Sequence, residues 1–152
     1  MEDESILKIK KSAEKNYSSG LYCAESVVLA ISKAQGIESK LFPRIATAFC
    51  SGMARTCGTC GALTGAILGV SLVHGRSEAG EPVDKVYAAT QKLVSTFENE
   101  FGGKGCSDLL GCDLGTPEGQ EIFKNNDLSE KCEKYTSRAS EIAAQVILEF
   151  NK

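Results

Sequence analysis

The sequence predicts an all-α fold, a single-domain helical bundle built around a central helix that carries a stripe of glycines. Three observations support this prediction. Apolar residues recur at helical spacing in several segments that begin near proline or end at glycine. No segment shows the sustained apolar and polar alternation that is typical of a strand. A chain of 152 residues has the length of one domain, so we expect residues 1–152 to fold as one unit.

The first two helices are each marked by an apolar stripe and a glycine that follows it. The stripe of the first helix consists of Ile6, Ile9, Ala13 and Tyr17, with Gly20 after it. The stripe of the second consists of Cys23, Val27, Ala30, Ile31 and Ala34, with Gly36 after it. Pro43 suits the first turn of a third helix. The residues of that helix expected to face inward are Ile45, Ala46 and Phe49.

The predicted central helix spans Gly61–His74 and is stopped by Gly75. No charged residue occurs from position 61 to position 73, so we expect this helix to be buried. The uncharged run is shorter than the ~20 residues that a membrane-spanning helix needs. Gly61, Gly65 and Gly69 fall on one face, and such a stripe lets another helix backbone approach closely.

The sequence of the second half of the chain predicts three more helical segments, with a glycine-rich loop after the first of them. Pro82 opens a helix that Gly102 and Gly103 close, and its predicted stripe is Val83, Val86, Tyr87, Val94, Phe97 and Phe101. Residues 104–119 are expected to form a loop with at most a short helical turn. Thr116 and Pro117 predict the start of a brief helix that ends near Lys124. Ser129 is expected to cap the last helix, whose stripe is Cys132, Tyr135, Ala139, Ile142, Ala143, Val146 and Phe150.

Composition argues against several classes of partner. The chain has 17 basic and 20 acidic residues, interspersed along its length, which gives no electrostatic case for nucleic acid or an anionic membrane as partner. The acidic start, Met1–Ser5, leads into an amphipathic helix and does not resemble a secretory signal, so we expect a cytoplasmic protein. In that compartment a set of seven cysteines indicates metal or redox chemistry more often than a disulfide scaffold.

Cys57 and Cys60 form the one Cys-x-x-Cys pair of the chain, directly before the predicted central helix. The helix start and Arg55 are expected to favour the Cys57 thiolate. One hypothesis is therefore a thiol–disulfide protein, in which Cys57 attacks and Cys60 resolves the mixed disulfide. Cys106 or Cys112 would then serve as a relay.

Other uses of this pair are less well supported by the sequence. A closed zinc ribbon would need a second Cys-x-x-Cys pair, which the chain lacks. Covalent haem would need a histidine directly after Cys60, where Gly61 stands, so no covalent haem is expected. His74, the one histidine, lies in the last turn of the central helix and is predicted to be a surface residue, not a ligand.

The remaining cysteines suggest a larger site. Cys23 and Cys132 lie on the apolar stripes of long helices, and Cys106 follows a flexible Gly-Lys-Gly segment. Together with Cys60 these residues can converge at the start of the central helix and form a four-thiolate site. The alternative is that the cysteines are structural, because a buried free cysteine often behaves as a small apolar residue.

The order of these features resembles the C-GCAxxG-C-C family, which is described as redox-active and also resembles part of the split-Soret cytochromes c. The resemblance covers nearly the whole chain, and its short motifs are specific by their order and spacing together. The matching stretches are Tyr22–Val27, Phe49–Met53 with Arg55, Cys60–Gly65, Phe101–Gly102, Cys106–Asp113 and Cys132.

The resemblance implies that Cys23, Cys60, Cys106 and Cys132 form the family's cysteine set and bind metal. It also implies a role in electron transfer with an iron–sulfur cluster; zinc is the alternative metal, since four thiolates suit both. The haem of the related cytochromes is not expected here, because the chain has no Cys-x-x-Cys-His. Cys50, Cys57 and Cys112 are additions to the family pattern, and Cys57 is a candidate to replace one of the four.

Three functional hypotheses therefore stand: a metal-binding electron-transfer protein, a thiol–disulfide protein that uses Cys57 and Cys60, and a non-catalytic helical module with structural cysteines. For the first two we expect a redox partner protein. A small bundle with a glycine-striped helix is also compatible with a homodimer.

Overall fold

The computed structural model describes residues 1–152 and confirms an all-α, single-domain helical bundle. The chain contains no strand, and its one β-type pairing is an isolated bridge between Thr59 and Gly105. A short 3₁₀ turn at Thr47–Phe49 separates α3 from α4. The helices in chain order are α1 (Glu2–Ser18), α2 (Cys23–Ala34), α3 (Leu41–Arg44), α4 (Cys50–Arg55), α5 (Gly61–His74), α6 (Asp84–Phe101), α7 (Cys106–Leu110), α8 (Pro117–Asn125) and α9 (Ser129–Phe150).

The bundle is formed by α1, α2, α5, α6 and α9, and α5 packs against α2, α6 and α9. The glycine face of α5 lies against α2. A Cβ atom added at Gly65 would lie 2.6 Å from the carbonyl oxygen of Ala24, and one added at Gly69 would lie 2.2 Å from Cδ1 of Ile31. The two helices can approach this closely only because the α5 side of the contact has no side chain.

The centre of the bundle is filled by aliphatic side chains and one phenylalanine. Its largest fully buried apolar side chains are Val27, Val28, Ile31, Leu63, Val70, Leu93, Phe97 and Ile142. Burying each such side chain stabilises the fold by about 1.5–3 kcal/mol before the loss of conformational entropy is counted. None of the helices combines the length and the hydropathy that crossing a bilayer would require.

The prediction of a regular third helix that begins at Pro43 is wrong. The Phe42–Pro43 peptide bond is cis, and Phe42 has an extended backbone at φ −111° and ψ 112°. A residue before proline is disfavoured in the helical region, which explains the break at Phe42, and after Arg44 the chain continues into the 3₁₀ turn at Thr47–Phe49 and not into a regular helix. As a result Ile45 is 54% exposed and Phe49 is 36% exposed, and of the three predicted inward residues only Ala46 is buried.

The helix predicted to open at Pro82 begins two residues later, at Asp84, and its buried face differs from the predicted stripe. Ala89, Leu93 and Phe97 are buried, whereas Tyr87 is 60% exposed. The predicted stripe included Phe97 correctly but omitted Ala89 and Leu93, which are both fully buried.

Most predictions for the last third of the chain agree with the structure, but Ser129 does not cap α9: it is the first helical residue, and Leu128 holds the N-cap position without a side-chain hydrogen bond. Thr116 caps α8 by accepting a hydrogen bond from the backbone N–H of Gly119, and Pro117 occupies the first turn. The segment predicted as a loop contains one short helix, α7, which begins at Cys106. The last helix begins at Ser129 and buries Ala139, Ile142, Ala143 and Val146.

Candidate functional site

Four helix starts meet around one cavity of about 260 Å³, and each start contributes one cysteine. The cysteines that line the cavity are Cys23 at the first position of α2, Cys60 at the N-cap of α5, Cys106 at the first position of α7 and Cys132 in the first turn of α9. Unpaired N–H groups and the helix dipole favour negative charge at a helix start. The structure therefore brings the predicted four-cysteine set to one cavity, with each cysteine at or near a helix start.

Apart from the four cysteines, the cavity wall is mainly apolar and aromatic. Its largest side chains are Tyr17, Tyr22, Leu109, Leu110, Leu114, Phe123 and Tyr135. The hydroxyl groups of Tyr17 and Ser129 are 2.8 Å apart and hydrogen-bonded, and the Tyr135 hydroxyl donates to the carbonyl oxygen of Leu109 at 3.2 Å. Arg55 is the one charged residue that lines the cavity, so charge that develops on the thiols has little cationic compensation from side chains.

Among the four cavity cysteines, Cys23 has the sulfur with the strongest hydrogen-bond donors around it. The Cys50 thiol donates to its sulfur, and backbone N–H groups of Ser51 and Ala24 also point at it. These donors stabilise the thiolate and outweigh the effect of burial, so they lower the pKa of Cys23 to about 7. By the same contact the pKa of Cys50 is raised, because its proton is held against the Cys23 sulfur.

The other three cavity cysteines hold their protons more tightly. Burial raises the pKa of Cys60 to about 12 and that of Cys106 to about 11, and it also raises the pKa of Cys132. In each case the charge of a Cys23 thiolate adds to the shift. A bound cation would reverse these shifts by stabilising the thiolates.

A left-handed turn, α4, forms one wall of the cavity. Ser51, Met53, Ala54 and Arg55 have φ values between 55° and 68°, and Gly52 has φ 63°. A left-handed conformation costs an L-residue with a side chain about 1–2 kcal/mol. Such strain is maintained only where the surrounding contacts determine it, often at functional sites. Here it directs the Ser51 N–H at the Cys23 sulfur and brings Ser51 and Arg55 to the cavity.

Two glycines make room for the cavity cysteines. A Cβ atom at Gly61 would lie 2.2 Å from the Cys23 sulfur, and one at Gly52 would lie 2.5 Å from Cβ of Cys106. Backbone hydrogen bonds fix the same region, because Cys106 N–H donates to the Gly58 carbonyl at 2.9 Å and Cys60 N–H donates to the Lys104 carbonyl at 2.7 Å. Glycine at positions 52 and 61 is therefore required by the cysteine positions.

The expectation that Cys57 is favoured as a thiolate is wrong. Helix α5 begins after Cys60, so Cys57 gains nothing from the helix start, and it lies exposed outside the cavity. Its thiol donates to the Asp113 carboxylate, which raises the pKa of Cys57. The assignment of Cys57 and Cys60 as a reactive dithiol stays a prediction, with electrostatics that oppose ionisation of its attacking member.

The remaining predicted residues lie apart from the cavity wall. Cys112 does not line the cavity, but it is buried in a small cluster with Leu128 and with two residues that do, Cys106 and Leu110. His74 lies partly buried at the end of α5, with its Nε2 atom 3.2 Å from the carbonyl oxygen of Ile147. No group of three or more His, Cys, Asp or Glu side chains is close enough to hold a metal ion.

Sequence reasoning missed Cys50 and the left-handed turn that follows it. Cys50 is 2% exposed and lies directly behind Cys23. Its position was not predicted because Cys23 and Cys50 belong to separate segments, and no spacing rule brings them together. Gly52 was the one sequence signal for the turn, but the other residues of the turn gave no indication of positive φ values.

Residues 21–146 match the model of the family described as "Putative redox-active protein (C_GCAxxG_C_C)". Because the match spans most of the chain, the protein belongs to this family. The comparison with curated proteins and the comparison with solved structures each gave no match.

Proposed function

We propose that this protein is an electron-transfer protein in which Cys23, Cys60, Cys106 and Cys132 hold an iron–sulfur cluster. The observation that carries the proposal is that these cysteines, which are far apart in sequence, line one cavity. Membership of a family described as redox-active agrees with such a role. Four thiolates are the usual ligand set of an iron–sulfur cluster.

The cavity favours a cluster over a single zinc ion. A zinc ion would need its four sulfurs within about 2.3 Å of one point. The cysteines here are not gathered in this way, since no three metal-binding side chains form a single-ion site. They are instead distributed around a cavity of about 260 Å³, which suits a group of several atoms.

The chain's own residues would set the environment of the bound group. When bound, an iron–sulfur cluster supplies a reversible one-electron change. Burial of Cys60 and the apolar wall limit water at the site, whereas the Cys50 thiol and the Ser51 N–H donate to the Cys23 sulfur. Hydrogen bonds of this kind raise a cluster's reduction potential, and burial together with the scarcity of cations lowers it.

Anaerobic reconstitution of serine variants tests the proposal. The full chain and its variants are incubated with ferrous iron and sulfide, desalted, and analysed for bound iron and visible absorbance. Cys23→Ser, Cys60→Ser, Cys106→Ser and Cys132→Ser should each bind less iron than the unmodified chain. Cys57→Ser and Cys112→Ser are the matched controls and should bind as much. Equal iron binding by Cys60→Ser and Cys57→Ser would contradict the assignment, as would a chain that binds no iron.

A further inference from the structure

Cys50 is a buried thiol that is not among the four proposed cluster ligands. It is 2% exposed and does not line the cavity. Its sulfur lies 3.6 Å from the carbonyl oxygen of Ala46, and its single proton can instead be donated to a Cys23 thiolate. Cys23 therefore has one face toward the cavity and the other against a second thiol.

The backbone holds these two cysteines close together. A Cβ atom built at Gly61 would lie 2.2 Å from the Cys23 sulfur and 3.0 Å from Cα of Cys50. The absence of a side chain at position 61 thus leaves one small space that both cysteines border. By contrast, Cys60, Cys106 and Cys132 are affected by the charge of a Cys23 thiolate across the cavity, whereas the one side-chain hydrogen bond to the Cys23 sulfur comes from Cys50.

We propose that Cys23 and Cys50 form a peroxide-reducing dithiol, with Cys23 as the residue attacked from the cavity and Cys50 as the resolving residue behind it. The roles follow from access, because Cys23 lines the cavity and Cys50 does not. The cavity gives a small oxidant such as hydrogen peroxide access to the Cys23 sulfur. This dithiol differs from the Cys57 and Cys60 pair and includes a cysteine outside the family's set of four.

The reaction balances with hydrogen peroxide as the oxidant. The Cys23 sulfur attacks one peroxide oxygen, the O–O bond breaks, and a sulfenic acid and one water molecule are formed. The Cys50 sulfur then attacks the Cys23 sulfur, the S–O bond breaks, and hydroxide leaves and takes up the Cys50 proton as a second water molecule. The dithiol loses two electrons, the peroxide gains two, and the product is a Cys23–Cys50 disulfide.

The disulfide would remove Cys23 from the four-cysteine set, so oxidation and cluster binding exclude each other at this residue. The proposal does not depend on the cluster, because the disulfide forms between two protein thiols in the chain without iron. A failure to bind iron would leave it intact, and a failure to form this disulfide would leave the iron proposal intact.

Peptide mapping of the full chain tests the proposal directly. The reduced chain is treated with one equivalent of hydrogen peroxide without added iron, free thiols are blocked with iodoacetamide, and a tryptic digest is analysed without reduction. Trypsin places Cys23 in residues 16–33 and Cys50 in residues 45–55, each as the sole cysteine of its peptide. We expect the main oxidised product to be these two peptides joined, with the loss of two hydrogen atoms.

Other products would overturn the proposal. A disulfide from residues 16–33 to the peptide with Cys57 and Cys60, or to the one with Cys106 and Cys112, would identify a different resolving residue. Oxidation confined to Cys57 would show that Cys23 is not the residue attacked.

A variant separates the two roles. In Cys50→Ala the sulfenic acid at Cys23 has no resolving thiol, so its capture by dimedone should increase several-fold over the unmodified chain. Cys112→Ala removes a different buried cysteine and should leave both the disulfide and the capture of dimedone unchanged. Equal capture in Cys50→Ala and the unmodified chain would contradict the role of Cys50.

Discussion

At the residue scale, the position of Cys23 depends on a neighbour that has no side chain. Gly61 begins α5, and its Cα faces the Cys23 sulfur so closely that a methyl group would overlap with it. The sulfur cannot move away freely, because Cys50 and Ser51 hold it from the other side. A single methyl group at position 61 should therefore disturb both the fold and the cysteine site.

Gly61→Ala should lower the free energy of unfolding by about 1–3 kcal/mol, the usual cost of overpacking a filled site. It should also reduce the iron bound on reconstitution. Gly103→Ala is the control, since a Cβ atom there meets nothing within 4 Å. The control should change stability by less than about 0.5 kcal/mol in a urea titration. Equal stability of the two variants would show that the close contact at Gly61 is not maintained in solution.

Asp113 controls the ionisation of Cys57, because its carboxylate accepts the Cys57 proton in a hydrogen bond and raises the pKa of the thiol. Asp113→Asn removes the negative charge, so the pKa of Cys57 should fall. The midpoint of the pH profile for iodoacetamide alkylation of Cys57 should accordingly move to lower pH, with faster labelling at neutral pH. Asp108→Asn should have a smaller effect, since Asp108 acts on Cys57 only at a distance. An unchanged profile in Asp113→Asn would contradict this contact.

At the element scale, two buried threonines show how hydroxyl groups are used in the bundle. The Thr136 hydroxyl on α9 is buried and has no hydrogen-bond partner. The Thr64 hydroxyl on α5 donates to the carbonyl oxygen of Phe49 at 2.9 Å and so ties α5 to the 3₁₀ turn before α4. Valine has a similar shape but no hydroxyl, so the same substitution should have opposite effects at the two positions.

Thr136→Val should raise the free energy of unfolding by about 1 kcal/mol, because it removes a buried polar group without a partner. Thr64→Val should lower the free energy of unfolding by about 1–2 kcal/mol, because it leaves a carbonyl oxygen without its donor. Thermal and urea unfolding of both variants measure the difference. A Thr136→Val variant less stable than the Thr64→Val variant would contradict this account, because the hydroxyl of Thr136 would then have to be hydrogen-bonded in the folded protein.

The sequence predicted the long helices better than the short ones. Helices α1, α2 and α9 carry apolar residues with a period of 3.6 over several turns, whereas α5 is an uncharged apolar run that ends before a glycine. The predicted positions of all four agree with the structure. The irregular segment from α3 to α4 was predicted poorly. Phe42 is extended before Pro43, and the turn after Cys50 is left-handed, and neither conformation has a periodic pattern. Tertiary contacts with Cys23 and Cys106 determine that segment.

At the scale of the whole molecule, the site joins parts of the chain that are distant in sequence. Cys23 and Cys132 are brought together because α1, α2 and α9 pack on one another. Cys60 and Cys106 are joined by the bridge between Thr59 and Gly105. The sequence indicated this set of four through the order of its motifs. The Cys50 contact could not be predicted, because it depends on the path of the backbone through α4.

The most direct test of the account is anaerobic purification of the full chain, followed by a visible spectrum and analysis of iron and acid-labile sulfide. We expect broad visible absorbance together with iron and sulfide in each chain, because four thiols that border one cavity are arranged for a cluster. A colourless protein that contains neither iron nor sulfide after this preparation would contradict the central claim, and one that contains zinc alone would show that the four cysteines close around a single ion.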